Sequence, residues 1–297
     1  AILSLPKLIR YPLAKLIANR RAPTAKKIYE ELGGSSPILK ETLDQSNALE
    51  NSLNKNDKLI NYKCFVVMRC WHPRADNVVK EVMEYNPEEI VLMPLYPQYS
   101  AATSGSSIKE WKDVCKKKNY NIKTSIICCY PTNNNFVLAH KNEIIKKIDN
   151  LQNYKLIFSA HGLPEKNIKK GDPYQWQVEQ SVDKIVKSLN IKGLDWILSY
   201  QSRVGPLKWI GPSTEEIIVE NSKLGKHIVI VPIAFVSEHS ETLVELDIEY
   251  KELADKNGCK NYSRVPALGT SENYIKAMSN LIINKQDYNF NGELFPP

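Results

Sequence analysis

A segment rich in carboxylates, residues 238–250, carries the strongest chemical signal in this sequence of 297 residues. Glu241, Glu245 and Glu249 recur every four residues, so in a helix they form one row on a single face. Like charges at this spacing destabilise a helix by roughly 0.2–0.5 kcal/mol per pair, and the helix dipole favours acids only in the first turn. A bound cation would relieve the repulsion, although a solvated helix face is the simpler alternative.

His161 is the second candidate for chemistry, and small residues surround it. Gly162 follows it directly, and glycine permits close approach of backbone or ligand. A lone histidine is more often packed behind a strand and hydrogen-bonded to backbone, so this alternative stays open. Imidazole together with carboxylate suits a borderline divalent metal such as Fe²⁺. His161 and Glu241 could therefore form a weak, open metal site.

Short apolar runs separated by amphipathic stretches of helical length predict an α/β protein with parallel strands. The predicted strands are residues 64–68, 90–95, 124–129, 156–159, 196–199 and 228–233, with a weaker one at 262–265. The predicted crossover helices are residues 77–85, 107–118, 138–151, 179–189 and 214–223.

Open parallel sheets bind their ligands beyond the carboxyl ends of the strands. This chain places chemically active residues at those ends: Arg69, residues 96–100, His161, residues 200–203 and residues 234–241. Two histidines and several carboxylates are therefore expected to face one cleft.

The predicted strands divide the chain into two halves, residues 1–150 and 151–297. The second half alternates four strands with helices, whereas the first has three strands after a long helical preamble, residues 1–60. If the halves are structural repeats, a strand and its loop belong before Ala1, so we expect an N-terminally incomplete chain. A final helix, residues 274–283, is expected to pack back on the first half.

Composition and motifs exclude several classes of protein. A hydrophobic fraction of 42% and a net charge of +7 are ordinary for a globular chain and exclude a disordered one. No apolar run approaches the roughly 20 residues of a membrane span, and the scattered lysines give no support to a nucleic-acid partner. The six cysteines include no C-x-x-C pair, which predicts reduced thiols and a cytoplasmic location. Nucleotide-binding, hydrolase and zinc-peptidase motifs are absent from the sequence.

Several long, ordered motifs resemble the ferrochelatase family over nearly the whole chain. They are residues 20–23 (RRAP), 33–38 (GGSSPI), 95–100 (LYPQYS), 158–164 (FSAHGLP), 171–174 (GDPY), 201–206 (QSRVGP) and the block 235–250. The resemblance implies two Rossmann-like domains with a porphyrin held between them. It implies an enzyme that inserts Fe²⁺ into protoporphyrin IX to form protohaem, the last step of haem biosynthesis. The alternatives are coproporphyrin as substrate, another metal and tetrapyrrole, or a porphyrin- or metal-binding protein without turnover.

The same resemblance implies roles for individual residues. His161 and Glu241 would face the porphyrin centre as proton acceptor and metal ligand, in either order, with Glu238 and His239 as an adjacent relay. Glu245 and Glu249 would extend the acidic row as a path for metal or protons, along a helix of π type. The residues that would contact the porphyrin are Arg21, Tyr29 and Ser36 at its carboxylates, Trp209 and Phe235 as an apolar wall, and Arg69 and Tyr99.

Further expectations concern cofactors and surfaces. Ala101 offers no thiol and the chain ends without a cysteine-rich tail, so we expect no iron–sulfur cluster and no cofactor beyond the substrate Fe²⁺. Cys70 stands where many family members have tyrosine, which removes a hydroxyl contact. Residues 1–17 predict an amphipathic helix, and the five basic residues within 2–21 suit peripheral contact with an anionic membrane. A helix packed on its own domain is the equal alternative.

Overall fold

The computed structural model describes residues 7–149 and 152–284, and within that part the side chains of residues 7–10 and of Arg21 are left aside. The protein is α/β, as predicted. Its helices are α1 Lys7–Glu31, α2 Ile38–Asn56, α3 Ala75–Tyr85, α4 Ser106–Lys117, α5 Asn134–Ile148, α6 Glu165–Ile168, α7 Tyr174–Leu189, α8 Thr214–Lys223, α9 Ser240–Leu243, α10 Tyr250–Lys256 and α11 Glu272–Ile283. Its strands are β1 Ile90–Leu92, β2 Thr124–Ile126, β3 Tyr154–His161, β4 Trp196–Gln201, β5 His227–Pro232 and β6 Asn261–Arg264. Residues Ala101–Gly105 and Glu245–Glu249 form π-helices.

Strands β3 to β6 form a parallel sheet in the order β4-β3-β5-β6. Both faces of its central strands are buried, because alternate side chains enter two different cores. Phe158 and Val231 pack with helices α5, α7 and α11, whereas Ile157 and Ile230 pack with α8 and α10. Since the four strands run in the same direction, their carboxyl ends meet at one edge of the sheet.

The first half of the chain builds a smaller sheet from the parallel strands β1 and β2. The strand predicted over residues 64–68 is wrong, because these residues join no ladder in the described part of the chain. The Glu50 carboxylate, and not a neighbouring strand, accepts the Cys64 N–H at 2.8 Å. An apolar run becomes a strand only where a second backbone pairs with its polar groups.

Helix α1 is longer than predicted and differs in character. Its described side chains are half-buried or exposed, and Tyr11, Leu16 and Ile17 are among the exposed ones. Over its whole length, Lys7–Glu31, apolar and basic residues are spread around the helix. Residues 1–6 of the predicted helix lie outside the described residues. None of the described helices is both long and apolar enough to cross a membrane.

The two halves of the chain share a core. Helix α11 packs against α2 and α5, which belong to the first half. The largest hydrophobic cluster joins Leu53 of α2 and Phe136 of α5 to Met278 of α11 and to strand residues of the four-stranded sheet. This packing holds the first half against the sheet, while the division into two domains stays a prediction.

Candidate active site

A deep cleft of about 2970 Å³ opens at the carboxyl edge of the four-stranded sheet. The end of β3 and, after β5, residues 234–237 and 239–241 line it on one side. The start of α2 and residues 90–96, 98 and 100–103, which belong to the first half, line it on the other side. The cleft is therefore built where parallel strands place their ligands.

At the floor of this cleft one carboxylate lies between two imidazoles. Oε1 of Glu241 lies 3.6 Å from Nε2 of His161, and Oε2 lies 3.4 Å from Nε2 of His239. The side chains of His161 and Glu241 are 39% and 38% exposed, so a ligand in the cleft can reach both. The structure thus brings together the two residues that the sequence singled out first, and it places His239, predicted as part of an adjacent relay, beside the same carboxylate.

Backbone contacts decide how His161 presents its two ring nitrogens. Nδ1 lies 2.6 Å from the carbonyl oxygen of Gly162, and because a carbonyl can only accept, Nδ1 carries the proton. In the neutral ring the lone pair is therefore on Nε2, which faces Glu241. The buried Tyr174 hydroxyl donates to the backbone oxygen of His161 at 3.0 Å and fixes the strand end. Such a ring can accept a proton or bind a metal at Nε2.

The charges of the pair stabilise one another. Burial lowers the pKa of His161, but the hydrogen bond and negative charge of Glu241 outweigh it, so the pKa is raised. Burial raises the pKa of Glu241, but hydrogen bonds from His161 and His239 outweigh it and hold the pKa well below its usual range. Glu241 is therefore an anion at physiological pH, and a cation that binds here competes with the His161 proton.

The predicted acidic row is only partly available to a cation, because Glu245 is already saturated. Its carboxylate accepts the backbone N–H and the hydroxyl of Ser202 at 2.9 and 2.6 Å. The Gln201 amide and the Tyr250 hydroxyl also donate to it, at 3.1 and 3.0 Å. These bonds hold Ser202 in the left-handed region at φ 59°. Glu245 therefore holds residues 201 and 202 in place, and its part in a metal path stays a prediction.

Glu249 ends the π-helix and is exposed at the rim of the same cleft. The wide turn is visible in the backbone, because the Glu249 N–H donates to the carbonyl of Val244, five residues earlier. Partial burial and the nearby carboxylates of Glu245 and Glu215 raise the pKa of Glu249. Glu215, at the start of α8, also lines the cleft. A carboxylate therefore remains available at the rim.

Glu238 differs from its predicted position, since it is not among the residues that line the cleft. Its Oε1 accepts hydrogen bonds from Arg264 at 3.0 Å and from the Ala267 N–H at 2.9 Å. Arg264, whose side chain is 8% exposed, also binds Asp247 through two bonds of 2.8 and 2.7 Å. Arg264 on β6 and the Ala267 N–H therefore bind Glu238, and its part in a relay with His239 stays a prediction.

The predicted apolar wall lies beside the histidines. The Phe235 ring centroid is 4.7 Å from that of His239 and 6.5 Å from that of His161. Trp209 also lines the cleft and packs over Gly162, where a Cβ atom would lie only 3.2 Å from Trp209 Cε3. Glycine at 162 is therefore needed for the tryptophan to approach the strand end.

Among the other predicted porphyrin contacts, Tyr29, Ser36 and Arg69 line the cleft. Arg69 lies 3.3 Å from the carboxylate of Glu110, so its positive charge already has a partner. The Ser36 hydroxyl accepts the N–H of Ile38 at 3.3 Å, at the start of α2. The Arg21 side chain lies outside the described residues.

Tyr99 does not line the cleft, and the expected porphyrin contact there is corrected. Its backbone N–H donates to Gln177, and its hydroxyl fills the space beside Gly105, where a Cβ would lie 2.6 Å away. Tyr96 lines the cleft instead. Burial, Cys70 and Glu241 raise the pKa of Tyr96. Strand β1 ends at residue 92, so the alternation of a strand does not tell which tyrosine faces inward.

The sequence analysis placed residues 96–100 and 200–203 at the cleft and singled out Cys70, but it gave no individual role to Tyr96, Arg203 or Tyr174. Tyr96, Cys70 and Arg203 line the cleft, and the Tyr174 hydroxyl donates to the backbone oxygen of His161. Tyr96, Tyr174 and Arg203 each lie in one of the ordered motifs, which is the signal that could have identified their roles.

The fold and the site together define the chain as an α/β protein with the fold of known chelatase structures. SirB from Bacillus subtilis with Fe³⁺ has a TM-score of 0.60 at 14% identity, covering 84% of this chain and 92% of that one. The sirohydrochlorin chelatase SirB from Bacillus subtilis subspecies spizizenii, in complex with cobalt, has a TM-score of 0.57 at 15% identity. That alignment covers 88% of this chain and 95% of the other.

The chain belongs to the ferrochelatase family, whose family model matches residues 1–286. It is 77% identical to the ferrochelatase of Pelagibacter ubique strain HTCC1062 over 297 residues, which cover 100% of this chain and 86% of the relative. It is 47% identical to the ferrochelatase of Rickettsia bellii strain OSU 85-389, covering 100% and 84% of the two chains. The ferrochelatase of Wolbachia pipientis wMel is 48% identical, covering 95% and 90%.

Proposed function

We propose that this chain is a lyase that inserts Fe²⁺ into protoporphyrin IX and forms protohaem, the last step of haem biosynthesis. One observation carries the proposal: the Glu241 carboxylate lies between Nε2 of His161 and Nε2 of His239 at the floor of a deep cleft. Membership of the ferrochelatase family supports this choice of substrates.

The reaction exchanges two pyrrole N–H protons for one Fe²⁺, so the site must accept protons and release a metal. Neutral His161 has its lone pair on Nε2 and, because its side chain is 39% exposed, can accept the two protons of the macrocycle in turn and release each to solvent. Glu241 stays ionised beside it, stabilises the imidazolium that forms and can contact the incoming ion. A site with one imidazole and one carboxylate holds Fe²⁺ weakly enough to give it up to four pyrrole nitrogens.

The walls of the cleft would act on the shape of the macrocycle. A planar porphyrin offers poor access to its nitrogens, so a wall that favours a bent ring lowers the barrier to insertion. We assign this role to Phe235 and Trp209, which flank the histidines. Tyr29 and Ser36 at the opposite wall, together with Arg21, would hold the porphyrin carboxylates.

The test is an anaerobic metalation assay with Fe²⁺ and protoporphyrin IX, followed by loss of porphyrin fluorescence. His161→Ala and Glu241→Gln are expected to lower turnover by roughly 100-fold or more, the usual contribution of a positioned acid or base. His227→Gln is the control, because His227 begins β5 and does not line the cleft. Wild-type turnover in His161→Ala would show that the assigned role is wrong. Coproporphyrin in competition decides between the two porphyrins.

We further propose that turnover needs no resident cofactor. The acid–base and metal-binding groups that the reaction requires are protein side chains of the cleft. Analysis of the purified protein for iron and acid-labile sulfide tests this, and stoichiometric sulfide would contradict it.

We also propose a cytoplasmic protein that touches membranes peripherally through α1. The support is the exposure of Tyr11, Leu16 and Ile17 on a helix that also carries exposed Lys15 and Arg20. Co-sedimentation with anionic vesicles should exceed that with neutral vesicles and should decrease at high salt. The variant Lys15→Glu/Arg20→Glu should bind less, and equal binding of the variant would contradict the proposal.

A further inference from the structure

Gln45 is a buried residue whose side-chain amide both donates and accepts hydrogen bonds. It is 1% exposed, although it belongs to helix α2 in the first half of the chain. Its Nε2 donates to the carbonyls of Val236 and Gly269 at 2.7 and 3.0 Å. Its Oε1 accepts the Ser237 hydroxyl at 2.9 Å. These contacts place Gln45 between two loops of the second half.

The loop that Gln45 holds carries the site. Val236 and Ser237 follow Phe235, which lines the cleft, and Glu238 separates them from His239, which contacts Glu241. The Val236 carbonyl also accepts the Gly269 N–H at 2.9 Å, so the amide closes a small hydrogen-bonded ring with this backbone pair. A buried carbonyl that accepts two bonds cannot shift without breaking both.

The helix that carries Gln45 lines the other side of the same cleft. Ser36, at its start, and Ile38, Leu39 and Thr42 in its first turns, all face the cavity. One side chain therefore joins the wall that faces the proposed porphyrin carboxylates to the loop behind His239. The amide therefore adds a direct hydrogen-bonded link between the two walls to the packing of α11 on α2.

We propose that Gln45 is a positioning residue for metal insertion, acting through residues 236–237 on His239 and Phe235. The proposal rests on the proposed function, because it assigns Gln45 to the same reaction. Gln45 lines the cleft but is only 1% exposed, and its amide is occupied by Val236, Gly269 and Ser237, so its loss should affect turnover more than porphyrin binding.

The experiment compares Gln45→Met, which keeps the volume and removes the hydrogen bonds, with Ser237→Ala, which removes one of its partners. In Gln45→Met, kcat should fall about 10-fold, while the KM for protoporphyrin IX stays within about twofold. Ser237→Ala should show a smaller fall in the same direction. In the double variant, the fall in kcat should be smaller than the product of the two single falls, because both changes remove one shared contact.

Tyr274→Phe is the control for general destabilisation. It breaks the buried bond between the Tyr274 and Tyr130 hydroxyls, 2.8 Å long, and neither residue lines the cleft. It should leave kcat unchanged at temperatures where it is folded. If Gln45→Met matches Tyr274→Phe in kcat, or loses activity only in proportion to its unfolded fraction, the inference is overturned.

Two further outcomes are distinguishable. If Gln45→Met does not fold, Gln45→Asn, which retains the amide but is one methylene shorter, decides in its place by the same split between kcat and KM. If the wild-type chain inserts no metal, the proposed function has failed. If the wild type is active and the Gln45 variants are equally active, only the inference about Gln45 has failed.

Discussion

Replacing Gly162 with alanine adds one methyl group at a crowded position next to His161. The new Cβ would lie 3.0 Å from the Gln201 carbonyl oxygen and 3.2 Å from both Arg203 Cγ and Trp209 Cε3. The Gln201 carbonyl is backbone, and it already accepts the Gly162 N–H at 2.8 Å. It cannot swing aside as a side-chain end could, so the strand end must shift.

The expected size of the effect follows from these contacts. Overpacking a filled site costs about 1–3 kcal/mol. For a protein of this size each kcal/mol lowers the melting temperature by about 2–4 °C, so we expect a decrease of roughly 2–12 °C by calorimetry. Because the Gly162 carbonyl also holds Nδ1 of His161, the shift misplaces the ring. Turnover at saturating Fe²⁺ should therefore fall roughly 10- to 100-fold.

Gly211→Ala provides the matched control. Its added Cβ would have no neighbour closer than 3.9 Å, so both melting temperature and turnover should stay near the wild-type values. If Gly162→Ala melts within about 2 °C of the control and retains its kcat, the tight contact around the strand end does not matter for the site.

The remaining predictions concern charge. Since the pKa of His161 is raised above 6.5, kcat should increase as pH rises through that pKa. Glu241→Gln should move this rise in kcat to lower pH. A rise at the same pH in the variant would contradict the pairing of His161 with Glu241. The stabilisation that this pair gives to His161 is present below pH 6.5 and is lost as pH rises through the raised pKa. In denaturant titrations, Glu245→Gln should lower the unfolding free energy by about 1–3 kcal/mol, because it weakens four hydrogen bonds. Glu249→Gln, at the exposed rim, should change the unfolding free energy by less than about 0.5 kcal/mol. Burial lowers the pKa of His140 to about 3, so the unfolded chain binds a proton below pH 6.5 that the folded chain does not; stability should fall from pH 6.5 towards 3, and His140→Leu should lose less over that interval.

The elements that were predicted correctly from the sequence are those whose signal lies in consecutive residues. The run 228–233 became β5 and the stretch 214–223 became α8, because a continuous apolar run and a helical periodicity are both properties of consecutive residues. His161 was identified for the same reason, as the polar residue that follows a buried strand. The rule that parallel strands share a carboxyl edge then brought it to residues 234–241 without any knowledge of contacts.

The features that only the tertiary structure determined depend on partners that are distant in the chain. The run 64–68 has the composition of a strand but has no paired neighbour in the described structure, and Glu238 turns to Arg264, 26 residues later. Gln45 and Val236 are 191 positions apart, so no local pattern indicates their bond. Periodicity reports which face of an element avoids water, but hydrogen-bond and charge partners depend on how the elements meet in space. The sequence by itself therefore determined the residue types of the site. The packing of the whole chain determined which carboxylates stay free for a metal.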